Sequence, residues 1–165
     1  MQEEGGSKFT DRPSDRGGPT KFGITFKTWL AYGHDKDHNG TINVDDLEDI
    51  SEQDAEAIAK KIYWDKVGGD AAPSQSVAEF LADWAYNSGA ATAVKHLQRI
   101  LGLQDDGIMG AFTAAALKAT NQFSLFNRLK NDRLNFVAAI AAHDHTQAVN
   151  LKGWDNRINS YQYTG

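Results

Sequence analysis

With 165 residues, the chain is long enough for one good hydrophobic core, and dividing it into two independent domains would leave each small. Its 41% hydrophobic and 24% charged residues exclude global disorder, its net charge of −5 argues against a nucleic-acid partner, and the lack of cysteine excludes disulfides and thiolate metal sites. No apolar run approaches the ~18 residues of a membrane span, and the first residues lack the basic and apolar regions of a signal peptide, so a chain made and kept in a cytoplasm is expected.

The first informative stretch covers residues 3–25, EEGGSKFTDRPSDRGGPTKFGIT, with five glycines and two prolines. Gly is costly inside a helix or strand and Pro removes a backbone donor, so the stretch reads as a shaped loop, and such loops carry function more often than stability. Glu4 precedes a Gly-Gly turn, and Asp15 and Thr20 follow, with Gly17, Gly18 and Pro19 turning the chain between them. Glycoside hydrolysis needs a protonated carboxyl to donate to the leaving oxygen and a second group across the sugar to handle water, and a Glu, a distant Asp and a Thr gathered by glycine turns could supply both. Solvated or capping acids in a Gly-rich loop are the alternative.

Residues 25–32 (TFKTWLAY) are predicted to form a short helix with Phe26, Trp29 and Leu30 on one side; Trp29 is either a core aromatic or a sugar-stacking platform. Residues 35–46, DKDHNGTINVDD, follow the calcium-loop template. Asp35, Asp37 and Asn39 stand at positions 1, 3 and 5, Gly40 at the turn position 6, Thr41 at the carbonyl position 7, Asn43 at 9 and Asp46 at 12. Position 12 is usually a Glu that binds through two oxygens, and the shorter Asp leaves the choice between calcium and magnesium open. An Asx-rich capping turn without an ion is the alternative reading. Acidity is concentrated here: residues 1–75 hold 9 Lys+Arg against 15 Asp+Glu, and residues 76–165 hold 8 against 7.

Residues 51–64 carry helix start signals, with Ser51 as cap and Asp54 three positions on, and Ile58 and Ile62 as the buried stripe. Tyr63 and Trp64 at its end suit a cleft wall or the core. Residues 67–76 form a loop. Val77, Phe80, Leu81 and Trp84 then share one face of a helix running to about Asn87, and Ala93, Val94, Leu97, Ile100 and Leu101 share one face of a helix stopping at Gly102. Residues 98–113, QRILGLQDDGIMGAFT, contain turns at Asp105-Asp106-Gly107 and at Gly110, followed by a helix over 111–119. A last long helix over 124–142 has Leu125, Leu129, Phe136, Val137 and Ile140 as its apolar stripe, and Arg128, Lys130 and Arg133 are expected on its wet side. His143 and His145 flank Asp144 in what reads as an exposed polar loop.

The order E-G-G then D-R-G-G-P-T-K-F-G-I-T resembles the signature of glycoside hydrolase family 108, the phage and prophage N-acetylmuramidases; a looser likeness runs to phage-type lysozymes. The L-Q, L-G, D-G, G and T order of residues 98–113 resembles the peptidoglycan-binding helical modules paired with that signature, and Gly153-Trp154-Asp155-Asn156-Arg157 resembles the family's closing segment. The resemblance implies a single domain over 1–165 with a mainly α, lysozyme-like fold and little or no β-sheet, residues 1–75 carrying the catalytic and metal loops and residues 76–165 the peptidoglycan-binding-type half. It matches Glu4 to the general acid and Asp15 and Thr20 to the residues that position the attacking water. Only Met1, Gln2 and Glu3 precede Glu4, where the family usually has an anchoring helix, so a loosely held acid is expected. Trp29, Tyr63, Trp64 and Asn87 are the candidates for contacting the glycan, and Asp35, Asp37, Asn39, Thr41 and Asp46 for holding a structural calcium, with no cofactor needed for catalysis. The implied partner is bacterial peptidoglycan, met by a monomer with no stable membrane insertion that waits in the host cytoplasm until lysis. A lytic transglycosylase, a non-catalytic wall-binding or export-helper protein and a calcium-responsive regulator are the rival readings.

Overall fold

A computed structural model describes residues 8–10 and 18–165, so Glu4 and Asp15 lie outside the described residues. The chain is mainly helical, as expected, and divides into two compact units, residues 1–60 and 61–165.

The first unit contains a small hairpin inside the stretch that the sequence presents as loop. Strand β1 (Thr20–Lys21) pairs antiparallel with β2 (Ile24–Thr25), Thr20 opposite Thr25 and Lys21 opposite Ile24. The two-residue turn places Phe22 at φ 49° and Gly23 at φ 76°. Positive φ at both central positions gives the turn whose twist matches the flanking strands. Glycine adopts it freely and phenylalanine does not, which is why the sequence carries no hairpin signal here. Thr10 adds a further bridge, exchanging two 2.9 Å backbone hydrogen bonds with Thr20.

Thr25 ends β2 and caps α1 (Phe26–Tyr32) by accepting the Thr28 amide. Trp29 on this helix is fully buried, and a Cβ placed on Gly33 would fall 2.3 Å from its indole. The residue after the helix must therefore lack a side chain for the ring to lie against the backbone. Helices α2 (Val44–Glu48) and α3 (Glu52–Ala59) each open with a reciprocal capping box, Asn43 with Asp46 and Ser51 with Asp54. Lys21 donates to the Glu48 carbonyl at the end of α2, where the helix dipole favours a cation, and so ties the hairpin to that helix.

The predicted helix over 51–64 is regular only to Ala59; its last turn, Lys60–Trp64, is a π-helical turn, followed by 3-10 turns at Asp65–Val67 and Gly69–Ala71. The wider winding lets Tyr63 pack on the apolar core of the second unit while Trp64 lies on Gly69, where a Cβ would fall 2.2 Å from the indole.

That second core is built by α4 (Gln75–Ser88), α5 (Ala90–Leu101), α6 (Ala111–Ala119), α7 (Gln122–His143) and α8 (Leu151–Ser160). Phe80, Leu81, Trp84, Leu97, Leu117, Leu125 and Leu129 are fully enclosed in it. Gly89 (φ 87°) separates α4 from α5 and Gly102 (φ 73°) ends α5 in the left-handed cap that only a residue without Cβ adopts at no cost. The Asp105 to Thr113 segment is organised by buried Gln98. Its amide nitrogen donates to Asp106 (2.7 Å), Thr113 (3.1 Å) and the Ile108 carbonyl (3.1 Å), and its oxygen accepts the Gly107 amide (2.8 Å). The polar atoms of this motif hold the turn between α5 and α6.

Candidate functional site

Of the three residues matched to catalysis, Thr20 is described and Glu4 and Asp15 are not. Thr20 is held on both edges of its strand, by Thr25 in the hairpin and by Thr10 across the bridge. Its hydroxyl donates to the Gly18 carbonyl at 2.9 Å. A hydroxyl has one proton and two lone pairs, so with the proton committed Oγ1 can only accept from a further partner.

In the acidic loop, carboxylate oxygens of Asp35, Asp37 and Asp46 lie within 4.8 Å of one another. The backbone turns inward through His38 (φ 59°) and Gly40 (φ 91°), the latter donating its amide to Asp35 at 2.7 Å. Asp46 is fully buried and accepts three amides, from Lys36 (2.7 Å), Asn43 (2.8 Å) and Asp37 (3.3 Å). The Asn43 amide and those of Lys36 and Asp37 hold its pKa below the ordinary carboxylate value against the opposing effect of burial. For Asp35 burial acts upward, and the amides of Gly40, His38 and Asn39 with the Asp37 side chain outweigh it. Asp35 and Asp46 therefore stay charged at neutral pH, close together. Asp54 beside the loop is held at about 2: burial would raise it, and the ion pair with Lys36 and the bonds from Ser51 prevail.

Of the other two expected ligands, Asn39 bonds both to the loop's acids and to Thr41. The Asn39 oxygen accepts the Thr41 amide (2.9 Å) and hydroxyl (2.6 Å), and its NH2 donates to Asp37 (2.7 Å). An ion in the loop would need Asn39 to release Thr41. An oxygen-only donor set of this kind suits a hard divalent cation and offers nothing to a soft one.

Trp29, a candidate for sugar stacking, presents no face to a sugar, because it is completely enclosed beside Gly33 and His34. The remaining candidates fall in the second unit. Tyr63 is partly buried edge-on against exposed Tyr86, with ring centroids 5.2 Å apart, and burial raises its pKa. Trp64 donates its indole N–H to Asp70 at 2.6 Å. Asn87 is exposed and donates to the Asp83 carbonyl at 2.7 Å.

One constellation was not legible in the sequence. Asp83, on the otherwise apolar face of α4, accepts from Arg133 of α7 at 2.8 Å and from Arg157 of α8 through Nε at 2.9 Å and through Nη2. Burial alone would raise the Asp83 carboxyl, but the hydrogen bonds from Arg157 and Arg133 outweigh it and hold the pKa low. Arg133 is thus buried, 3% exposed, and its guanidinium lies over the rings of Phe80 and Trp84; the expectation that it faces water is corrected. A wet side was inferred because an arginine on a helix normally keeps its charge solvated, and here a carboxylate 50 residues away takes the place of water. An aspartate between Leu81 and Trp84 was the available signal.

The family described as glycosyl hydrolase 108 matches residues 1–89, and the one described as predicted peptidoglycan domain matches residues 92–159. Among solved structures, SagA of Brucella abortus is similar with a TM-score of 0.69 and 32% identity, over 95% of this chain and 84% of that one. No curated protein is detectably similar.

Proposed function

We propose that this chain, which belongs to the glycosyl hydrolase 108 family and is a peptidoglycan hydrolase, cleaves the β-1,4 bond between N-acetylmuramic acid and N-acetylglucosamine as an N-acetylmuramidase. The observation that carries the reading is the joining of a glycosyl hydrolase segment, holding Glu4, Asp15 and Thr20, to a peptidoglycan segment in one chain. Glu4 protonates the leaving glycosidic oxygen, and Asp15 with Thr20 orients a water for attack on the opposite face of the sugar. The committed proton of Thr20 supports its part. Oγ1 receives an O–H of the water and leaves a water lone pair free for the anomeric carbon, while Asp15 as base takes the other proton.

The products decide the bond and the outcome. Digested sacculi are expected to release muropeptides with reducing N-acetylmuramic acid ends, read by borohydride reduction and mass spectrometry. Non-reducible 1,6-anhydro ends would assign the chain to the lytic transglycosylases, and reducing N-acetylglucosamine would move the cut to the other bond. The same reading makes the protein a phage or prophage lysin acting as a monomer, held in the host cytoplasm until a membrane lesion admits it to the wall. None of the helices among the described residues is long and apolar enough to cross a membrane.

A structural calcium in the loop of residues 35–46 belongs to this reading. Asp35, Asp37 and Asp46 would hold it, joined by Asn39 and the Thr41 carbonyl, and it would neutralise three carboxylates that otherwise repel. Calorimetric titration of the chelator-treated protein is expected to show one calcium site, abolished by Asp35→Ala, with a calcium-dependent rise in Tm. No heat and no rise in Tm at millimolar calcium would reduce the loop to a capped turn.

A further inference from the structure

A cavity of about 220 Å³ opens in the second unit between the end of α4, α7, the 3-10 segment His145–Asn150 and α8. Ile140 and Trp154 give it an apolar wall, Asn87 and Gln147 bring amides, and Arg133 and Arg157 bring guanidiniums. The two arginines share one carboxylate, that of Asp83, and no other carboxylate among the described residues bonds to either. Among the described residues, one positive charge is therefore uncompensated at the cavity wall. The amides are already half used. Asn87 spends its NH2 on the Asp83 carbonyl and keeps its oxygen as an acceptor; Gln147 receives the Asn150 amide on its oxygen and keeps its NH2 as a donor.

Uncompensated guanidinium charge and an amide donor match a carboxylate, an amide acceptor matches a peptide N–H, and the apolar wall matches a small aliphatic side chain. Those three features together describe the last residue of a peptide chain. A volume under the ~300 Å³ of pockets for drug-sized ligands admits one or two residues, so the cavity grips an end and leaves the rest of the ligand outside. We propose that this cavity binds the C-terminal residue of a peptidoglycan stem peptide, with Arg157 and Arg133 facing its carboxylate. The proposal rests on peptidoglycan being the substrate, and adds to it that the enzyme reads the peptide as well as the glycan. Neutral sugar alone would leave the charge unused.

The test is calorimetric titration of the whole protein with a free stem tetrapeptide, which contains no glycosidic bond, and with the same peptide amidated at its C-terminus. The free acid is expected to bind, and amidation to weaken binding at least about tenfold, the loss of a charge-assisted contact. Arg157→Ala and Ile140→Phe should each weaken the free acid by a similar factor. Ile140→Phe keeps both arginines and fills the cavity, so it separates shape from charge, and the Tm of each variant reports its folding. Equal binding of acid and amide, absence of binding to either, or wild-type affinity in a folded Ile140→Phe protein would overturn the proposal. Because the ligand has nothing to hydrolyse, those results leave the muramidase reading intact, and a failure of that reading in the product analysis leaves the titration unaffected.

Discussion

Glu4→Gln is expected to lower the rate of lysis of outer-membrane-permeabilised cells by a factor of about 10² to 10⁴, the range over which a positioned general acid contributes. The amide is nearly isosteric with the acid and cannot donate a proton to a departing oxygen, so binding to sacculi should persist while new reducing ends disappear. Asp15→Asn and Thr20→Val act on the water instead. Thr20→Val should be the milder of the two, since it removes an acceptor that orients and leaves the base in place. Full lytic activity in Glu4→Gln would end the assignment of the acid, and the enzyme's proton donor would then have to be sought among other carboxyls.

Asp83→Ala is expected to have the largest effect on stability. Removing the carboxylate leaves the Arg133 guanidinium, whose side chain is 4% exposed, without its counter-ion inside the second core, and breaking a buried pair in this way costs about 3–5 kcal/mol. For a unit of this size the fall in Tm would be roughly 10–20 °C, measured by thermal unfolding. Arg157→Ala should cost much less, because its side chain is half exposed and Asp83 keeps Arg133. The pH dependence follows from the low folded pKa of Asp83. A carboxyl whose folded pKa lies below its unfolded value adds stability that is complete above the ordinary 3.8 and is lost as pH falls through the folded value. The wild-type protein should therefore lose this contribution only in strong acid, and Asp83→Ala should lack that part of its acid transition. A Tm unchanged within about 2 °C in Asp83→Ala would show that the two arginines find other partners.

The two expectations test different levels of the protein. Glu4, Asp15 and Thr20 stand out through the resemblance of the E-G-G and D-R-G-G-P-T order to the family signature; acids among glycine turns are by themselves a weak pattern. The clustering in the acidic loop was legible because its acids recur at local spacings, and the close approach of Asp35, Asp37 and Asp46 follows that spacing. The bonds from the Thr41 amide and hydroxyl to the Asn39 oxygen are decided only by the competition for hydrogen bonds within the folded loop.

Periodicity placed most of the helices: the apolar faces of α4 and α5, their glycine stops at Gly89 and Gly102, and α6 from Ala111 to Ala119 follow from residue spacing and from where a chain without Cβ can turn back. The same reasoning missed the hairpin at Thr20, since two residues per strand leave no alternation to see and Phe22 is an unusual occupant of a positive-φ position. It also missed the π-helical turn at Lys60–Trp64, whose winding serves where Tyr63 and Trp64 pack. Sequence by itself determined the helical class, the family and the local signatures, because these depend on neighbours a few residues apart. The tertiary structure alone decided that Trp29 is enclosed, that Arg133 is buried, and that Asp83, Arg133 and Arg157 meet beside a cavity. Residues 50 and 74 positions apart have no local spacing to betray them, and their pairing becomes favourable only when packing removes the water that would otherwise have solvated each charge.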